Sequence, residues 1–231
     1  SRKFFALPTA TKQLAPHPPG GSHHRGYSAP GMEKVTQHVF SDAAIAALRA
    51  VPDHKESYET GNETDARQPN IWLPDAALPG FRAFLQAFFG DCEGIIHVLL
   101  RALAVALGME GEREGALSEA HSASAFQLRL LHYPPIPLRA LTGGAAVAGG
   151  GVGGGGEPAG EEEGREGGRL GGEKQRSPPS ASRIGAHSDF GSLTILFQDA
   201  VGGLEVEDPH RPGVFRPAPP VDGTLLVNCA E

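Results

Sequence analysis

RIGAHSDFGSLTILFQD, at residues 183–199, contains the clearest information about the architecture of this chain. Its second half, Ser192–Gln198, is rich in β-branched and apolar residues and predicts a buried strand. His187 and Asp189 stand two residues apart just before this strand, so their side chains point to the same side of an extended backbone. An imidazole and a carboxylate in this arrangement supply two of the three ligands of a facial triad, which leaves positions open on Fe(II).

The pair His187 and Asp189 has a simpler interpretation when it is taken alone. A histidine two residues before an aspartate is a weakly specific motif, and Asp189 would then cap a backbone amide in a surface turn. Without further context, the turn is the favoured interpretation. The surrounding segments therefore decide between a metal site and a turn.

Further strands are indicated by short runs of apolar residues between Gly and Pro turns. The segment Phe126–Tyr133 alternates in the manner of a strand, and Pro134 and Pro135 end it. Downstream, short strands are predicted at Gly203–Glu207, Val214–Arg216 and Thr224–Asn228.

The helical signals lie mainly in the first half of the chain. Residues 81–107 have apolar side chains at three- and four-residue spacing, and Gly108 is a plausible stop. A short helix is predicted near Phe4–Leu14, and another is predicted to begin at a cap formed by Ser41 or Asp42. Helices followed by short strands favour an antiparallel barrel or sandwich with helical support.

Two stretches are predicted to lack regular structure. Residues 52–80 have Pro, Asn, Gly and Asp at close intervals, which favours irregular structure around Trp72. Residues 138–181 are rich in Gly and Glu, and their few large apolar side chains would not offset the entropy of ordering. They predict a disordered surface insertion, and the phosphate-binding pattern GxxxxGK[ST] does not occur in them.

The neighbouring segments extend the pattern into a family resemblance. RIGAHSDFGSLTILFQD, followed by VGGLEVED and GTLLVNCAE, resembles the isopenicillin-N-synthase-like branch of the iron(II)/2-oxoglutarate-dependent dioxygenases. Upstream, FFALP, RGY, KESYETG, LPGFRAF and LRLLHYPP occur in the order that is usual in this family. The resemblance covers nearly all of the chain except the glycine-rich insertion.

The resemblance implies a mainly β fold with helical support, a double-stranded β-helix or jelly roll that is incomplete here. Residues 1–121 would form the mainly helical N-terminal part of this fold. Residues 122–231 would form a partial jelly-roll core that contains the insertion at 138–181.

The resemblance also implies a site. His187 and Asp189 correspond to iron ligands, and Tyr133 corresponds to a tyrosine that hydrogen-bonds the co-substrate 2-oxoglutarate. A core tyrosine at a strand end is an equally good interpretation of Tyr133. Relatives often have an asparagine at the position of Leu131, which puts one polar contact near the co-substrate in doubt.

The implied reaction is the oxidation of a small organic substrate with Fe(II), 2-oxoglutarate and O₂, as a hydroxylation, desaturation or ring closure. The family's second histidine ligand and its co-substrate arginine would lie beyond Glu231, and relatives have further strands before FFALP. The chain is therefore expected to be truncated at both ends. A catalytically inactive fragment or remnant is the alternative, and a cupin-like binder with the same barrel ranks last.

Composition limits the remaining function classes. The formal net charge is −7 and the chain contains no dense basic patch, so neither nucleic acid nor a membrane is an expected partner. Cys92 and Cys229 form no CxxC pair, which favours a reducing compartment and a cytoplasmic location. The expected partner is a small-molecule substrate, and the oligomeric state stays open.

Four other histidines are weak candidates for metal ligands. His23 and His24 are predicted to be a solvated pair in a loop, His97 to pack on a helix, and His210 to lie in a turn.

Overall fold

The computed structural model describes the following parts of the chain: residues 1–20, 23–32, 53–109, 111–113, 115–123, 125–136, 183–184, 187–189 and 191–229. The helix predicted from Ser41 or Asp42 and the insertion predicted at 138–181 lie outside the described residues.

The N-terminal segment forms two short helices, α1 (Arg2–Phe5) and α2 (Thr9–Lys12), where one helix was predicted over Phe4–Leu14. Pro8 separates them with φ −54° and ψ 144°. A proline disfavours helical backbone at the residue before it and has no N–H to donate to the preceding turn. The single predicted helix is therefore wrong.

The long helix α3 (Phe81–Ala106) confirms the prediction from apolar spacing. It is followed by Gly108, whose φ of +67° is the left-handed conformation that glycine adopts readily after a helix end. A 3₁₀ turn at Gly111–Arg113 and the short helix α4 (Ala116–Ala120) come next.

A three-stranded antiparallel sheet contains β1 (Gly26–Ser28), β2 (Glu56–Gly61) and β3 (Gln127–His132) in that spatial order. The prediction of irregular structure over residues 52–80 is wrong at β2, whose six residues are all buried. The sequence ESYETG has no apolar alternation, and β2 is instead stabilised by neighbours on both sides and by polar partners for its buried side chains.

The sheet packs against the N-terminal helices and the start of α3. The ring of Phe4 lies 4.8 Å from that of Tyr58 on β2 and stacks on Phe81 of α3 at 5.0 Å between ring centroids. The buried cluster comprises Phe4, Phe5, Ala15, Tyr27, Tyr58, Leu73 and Leu85.

Two separate antiparallel ribbons follow. β4 (Leu193–Leu196) pairs with β7 (Leu226–Cys229), and β5 (Glu205–Glu207) pairs with β6 (Phe215–Pro217). The four strands predicted in this region are confirmed, with shifted or shorter bounds. Among the described residues these strands do not close into a barrel.

The division of the chain at residues 121 and 122 stays a prediction, and β3 pairs with β2 across it. Among the described residues, no helix combines the length and the apolar character that crossing a bilayer would require.

Candidate metal and co-substrate site

His187 and Asp189 lie together just before β4, as their spacing predicted. The His187 Nε2 atom is 3.6 Å from the Asp189 Oδ1 atom, and the two side chains are 31% and 27% exposed. Two ligands of one ion at bond lengths of about 2.1 Å stand about 3 Å apart in octahedral geometry. The pair therefore fits a shared divalent metal ion after a small side-chain rotation.

Asn228 on β7 holds the other oxygen of Asp189. Its Nδ2 atom donates a hydrogen bond of 2.9 Å to Asp189 Oδ2. The register of the ribbon, which places Asn228 opposite Thr194 of β4, produces this contact. This residue was not among the predicted site residues, and its only signal in the sequence was an amide within an otherwise apolar strand.

Tyr133 directly follows β3 and is connected to the segment that carries His187. The Arg183 Nη1 atom donates to the backbone carbonyl of Tyr133 at 3.2 Å and to that of Pro134 at 3.4 Å. This connection is made through the main-chain carbonyls of Tyr133 and Pro134. Burial raises the pKa of Tyr133, with Arg129 opposing the shift, so the phenol is neutral at physiological pH and able to donate a hydrogen bond.

The helical layer fixes the start and end of β4. His121, which follows α4, places its Nε2 atom 2.9 Å from Ser192 Oγ. The ring of Phe88 on α3 lies 5.3 Å from that of Phe197. These contacts position β4, the strand that follows His187 and Asp189 in the sequence.

Three of the four weak histidine candidates lie as predicted. The ring of His97 packs edge-on against Phe126 at 5.8 Å, His210 lies in a turn and donates its backbone N–H to Asp208 Oδ1, and the partly exposed His23 contacts the carbonyl of Pro69. The fourth, His24, is exposed as predicted, but its position beside His17 and the buried Glu59 was not predicted.

Two family models match separate parts of the chain. One is described as "non-haem dioxygenase in morphine synthesis N-terminal" and matches residues 1–75. The other is described as "2OG-Fe(II) oxygenase superfamily" and matches residues 168–231. The second match contains His187, Asp189 and Asn228.

Sequence matches to curated proteins extend along the whole length of this chain. It is 36% identical over 233 residues to the 2-oxoglutarate-dependent dioxygenase frbA of Dothideomycetidae sp. (strain 11243), a match that covers 100% of this chain and 57% of the relative. It is 35% identical over 232 residues to proline hydroxylase buaE of Petromyces alliaceus, covering 100% of this chain and 58% of the relative. The chain thus spans less than two thirds of the length of these relatives.

A solved structure from Neurospora crassa shows the same relationship. This full-length protein, crystallised in complex with alpha-KG, superposes with a TM-score of 0.66 at 32% identity, and the match covers 100% of this chain and 57% of the Neurospora protein. The same protein has also been crystallised with alpha-KG and thymine.

Proposed function

Because the chain belongs to the iron(II)/2-oxoglutarate-dependent oxygenase family, we propose that it is part of an enzyme that oxidises a small organic substrate with Fe(II), 2-oxoglutarate and O₂. The observation that carries this proposal is the His187–Asp189 pair at 3.6 Å. The proposal covers hydroxylation, desaturation and ring closure.

His187 would bind the metal through Nε2 and Asp189 through Oδ1, and the amide of Asn228 would keep the carboxylate of Asp189 in a single orientation. When bound, Fe(II) would supply the open coordination positions that O₂ and 2-oxoglutarate need in order to react. The side chains of His187 and Asp189 are 31% and 27% exposed, so the described part of the protein shields them from water only in part.

Tyr133 would contact the co-substrate. Its neutral phenol donates a hydrogen bond, and a carboxylate of 2-oxoglutarate is a suitable acceptor. The Arg183 contacts to the carbonyls of Tyr133 and Pro134 support this role, because they connect the end of β3 to the His187 segment.

The proposed fold around this site is the family's double-stranded β-helix, to which the β4–β7 and β5–β6 ribbons would belong. The proposed location is the cytoplasm, which is supported by the two free cysteines, Cys92 and Cys229.

Anaerobic titration of the purified chain with Fe(II) and 2-oxoglutarate, followed by visible absorption, tests the proposal. We expect the charge-transfer band of a chelated iron complex, and we expect His187→Ala to abolish it. A folded, monodisperse chain that shows no band would overturn the proposal that this chain forms the iron site by itself.

The same titration tests the role of Asn228. Asn228→Ala should weaken Fe(II) binding by about 10- to 100-fold, because the hydrogen bond that orients the Asp189 ligand is lost. Val227→Thr is the matched control, since Val227 is exposed and its side chain lies on the opposite face of β7. Equal Fe(II) affinity in both variants would show that Asn228 does not orient Asp189.

A further inference from the structure

His17, His24 and Glu59 are brought together by three neighbouring parts of the fold. His17 follows α2, and its backbone N–H donates to the carbonyl of Tyr27 on β1 at 2.9 Å. His24 stands two residues before β1. Glu59 on β2 lies directly opposite Gly26 of β1. The side chains therefore meet because backbone pairing fixes the segments that carry them.

The potential ligand atoms of the three side chains all lie within 4.8 Å of one another. The His24 Nδ1 atom lies 3.8 Å from Glu59 Oε2. Three ligands on one Zn²⁺ ion with bonds of about 2.1 Å stand about 3.4 Å apart. The His24 side chain is 48% exposed, so its ring has room to rotate and close the remaining gap.

The tautomer of His17 is suited to metal binding. Its Nδ1 atom lies 2.7 Å from the carbonyl oxygen of Pro18, which only accepts hydrogen bonds. Nδ1 therefore carries the proton, and the lone pair is on Nε2. A histidine that binds a metal usually donates the N–H of its other ring nitrogen to a carbonyl or carboxylate. This hydrogen bond fixes the tautomer and the orientation of the ring.

Glu59 supplies an independent sign of a missing ligand. Its side chain is only 3% exposed, and its Oε1 atom accepts a bond of 2.8 Å from Arg129 Nε. Its Oε2 atom is buried and accepts no hydrogen bond in the described structure. A buried carboxylate oxygen without a partner is energetically costly, so an additional bonding partner at this position would be stabilising.

The charges near Glu59 select the kind of ion. Arg25 lies 3.7 Å from Asp65 and also faces Glu59, while Lys55 interacts with both Asp53 and Glu59. With Arg129, these cations weaken a purely electrostatic site for Ca²⁺ or Mg²⁺. An ion held mainly by coordination to imidazole nitrogen is less dependent on net charge.

We propose that His17, His24 and Glu59 form a second metal site for a Zn²⁺-class divalent cation, separate from the His187–Asp189 pair. Two imidazoles and one carboxylate are a known ligand set for zinc, with a fourth position open to water. Such an ion would tie the segment after α2 to β1 and β2, and would act as a clamp on the N-terminal part of the fold.

Zn²⁺ titration by calorimetry tests the proposal in the His187→Ala background, which disables the first site. His24→Ala and His17→Gln should each weaken one binding event at least tenfold. His23→Ala is the matched control, because His23 is the immediate neighbour of His24 and should leave that binding event unchanged. Zn²⁺ should also raise the thermal midpoint of the His23→Ala chain but not that of the His24→Ala chain.

Unchanged zinc affinity and stoichiometry in both His17→Gln and His24→Ala would overturn the proposal. Neither histidine is fully buried, and circular dichroism with a chelator present checks that both variants fold. His24→Ala without the background change should retain the Fe(II)/2-oxoglutarate band, so failure of the second site and failure of the proposed function give different results.

Discussion

At the scale of single residues, the carboxylate of Glu56 shows how this protein buries charge. Lys12 Nζ donates to Glu56 Oε2 at 2.6 Å, and the Tyr27 hydroxyl donates to the same oxygen. His132 Nδ1 lies 2.7 Å from the other oxygen. Lys12 and Glu56 are both almost fully buried, so each would be costly without the other. The three donors come from α2, β1 and β3 and connect them to β2.

Lys12→Met should lower the free energy of unfolding by about 3 kcal/mol, because it leaves the buried charge of Glu56 without its cation. Urea denaturation of both chains measures the difference. Lys3→Met, at an exposed lysine in the same segment, should change the free energy by less than about 0.5 kcal/mol. Equal losses in the two variants would mean that the ion pair contributes nothing specific.

The same carboxylate predicts a pH dependence of stability. Burial pushes the pKa of Glu56 upward, but the hydrogen bonds from Lys12, Tyr27 and His132 outweigh it and lower the pKa below its ordinary value of 4.5. A carboxyl group with a lowered pKa stabilises the fold above its ordinary pKa, and this stabilisation is lost as the pH falls through the folded-state value. The gap in unfolding free energy between the natural chain and Glu56→Gln should therefore be widest near pH 6 to 7.

The gap for Glu56→Gln should narrow as the pH falls below about 4.5. Denaturation at a series of pH values measures this, with Glu119→Gln on α4 as an exposed control. A gap that stays constant from pH 7 to pH 3 would contradict the lowered pKa.

At the scale of elements, helix α3 contains two glycines with no evident role. Apart from its chain neighbours and the adjacent helix backbone, a Cβ atom added at Gly90 or Gly94 would have no described heavy atom within 4 Å. Glycine in a helix interior is about 0.8–1.0 kcal/mol less favourable than alanine. Gly90→Ala should therefore raise the free energy of unfolding by slightly less than 1 kcal/mol, as measured by urea denaturation.

Gly26→Ala on β1 is the opposite case and serves as the comparison for Gly90→Ala. Gly26 has φ +88°, and a Cβ there would lie 2.7 Å from the carbonyl oxygen of Pro16. The added Cβ would therefore clash with a backbone atom that cannot rotate away, and alanine is also strained at this φ. The substitution should destabilise the chain by more than about 1 kcal/mol. Stabilisation by both alanines would indicate that the close approach at Gly26 is relieved by a shift of the Pro16 segment.

The elements that sequence reasoning predicted are those whose side-chain pattern is local. Helix α3 follows from apolar spacing, and strands β3 and β4 from alternation or a β-branched run. Strand β2 could not be predicted in this way, because its buried polar residues have partners far along the chain. Glu56 is bonded to Lys12, 44 residues away, and to His132, 76 residues away.

The residues of the two candidate sites also differ in whether their neighbours in space are close in the sequence. His187 and Asp189 were predictable because two residues on an extended chain share a side. Asn228 is 39 residues from Asp189 and becomes its neighbour only through the register of β4 and β7. The grouping of His17 and His24 with Glu59 likewise depends on the pairing of β1 with β2.

At the scale of the whole molecule, burial is distributed unevenly. All six residues of β2 are buried between two neighbouring strands. All residues of β5 and β6 are exposed, and within the described part of the chain these two strands pair only with each other. Local stability follows burial and hydrogen bonding, so the central sheet should open far less often than the β5–β6 ribbon.

Hydrogen exchange followed by mass spectrometry should show this difference directly. We expect amides of β2 to exchange at least about tenfold more slowly than those of β5 and β6. The amides of the β4–β7 ribbon should exchange at an intermediate rate.

The two cysteines give a second measure, since Cys92 is buried on α3 and Cys229 is exposed on β7. Burial also raises the pKa of Cys92, so Cys229 should react first with a thiol reagent. Uniform exchange across all strands, with equal labelling of both thiols, would mean that the chain unfolds as one cooperative unit despite its uneven burial.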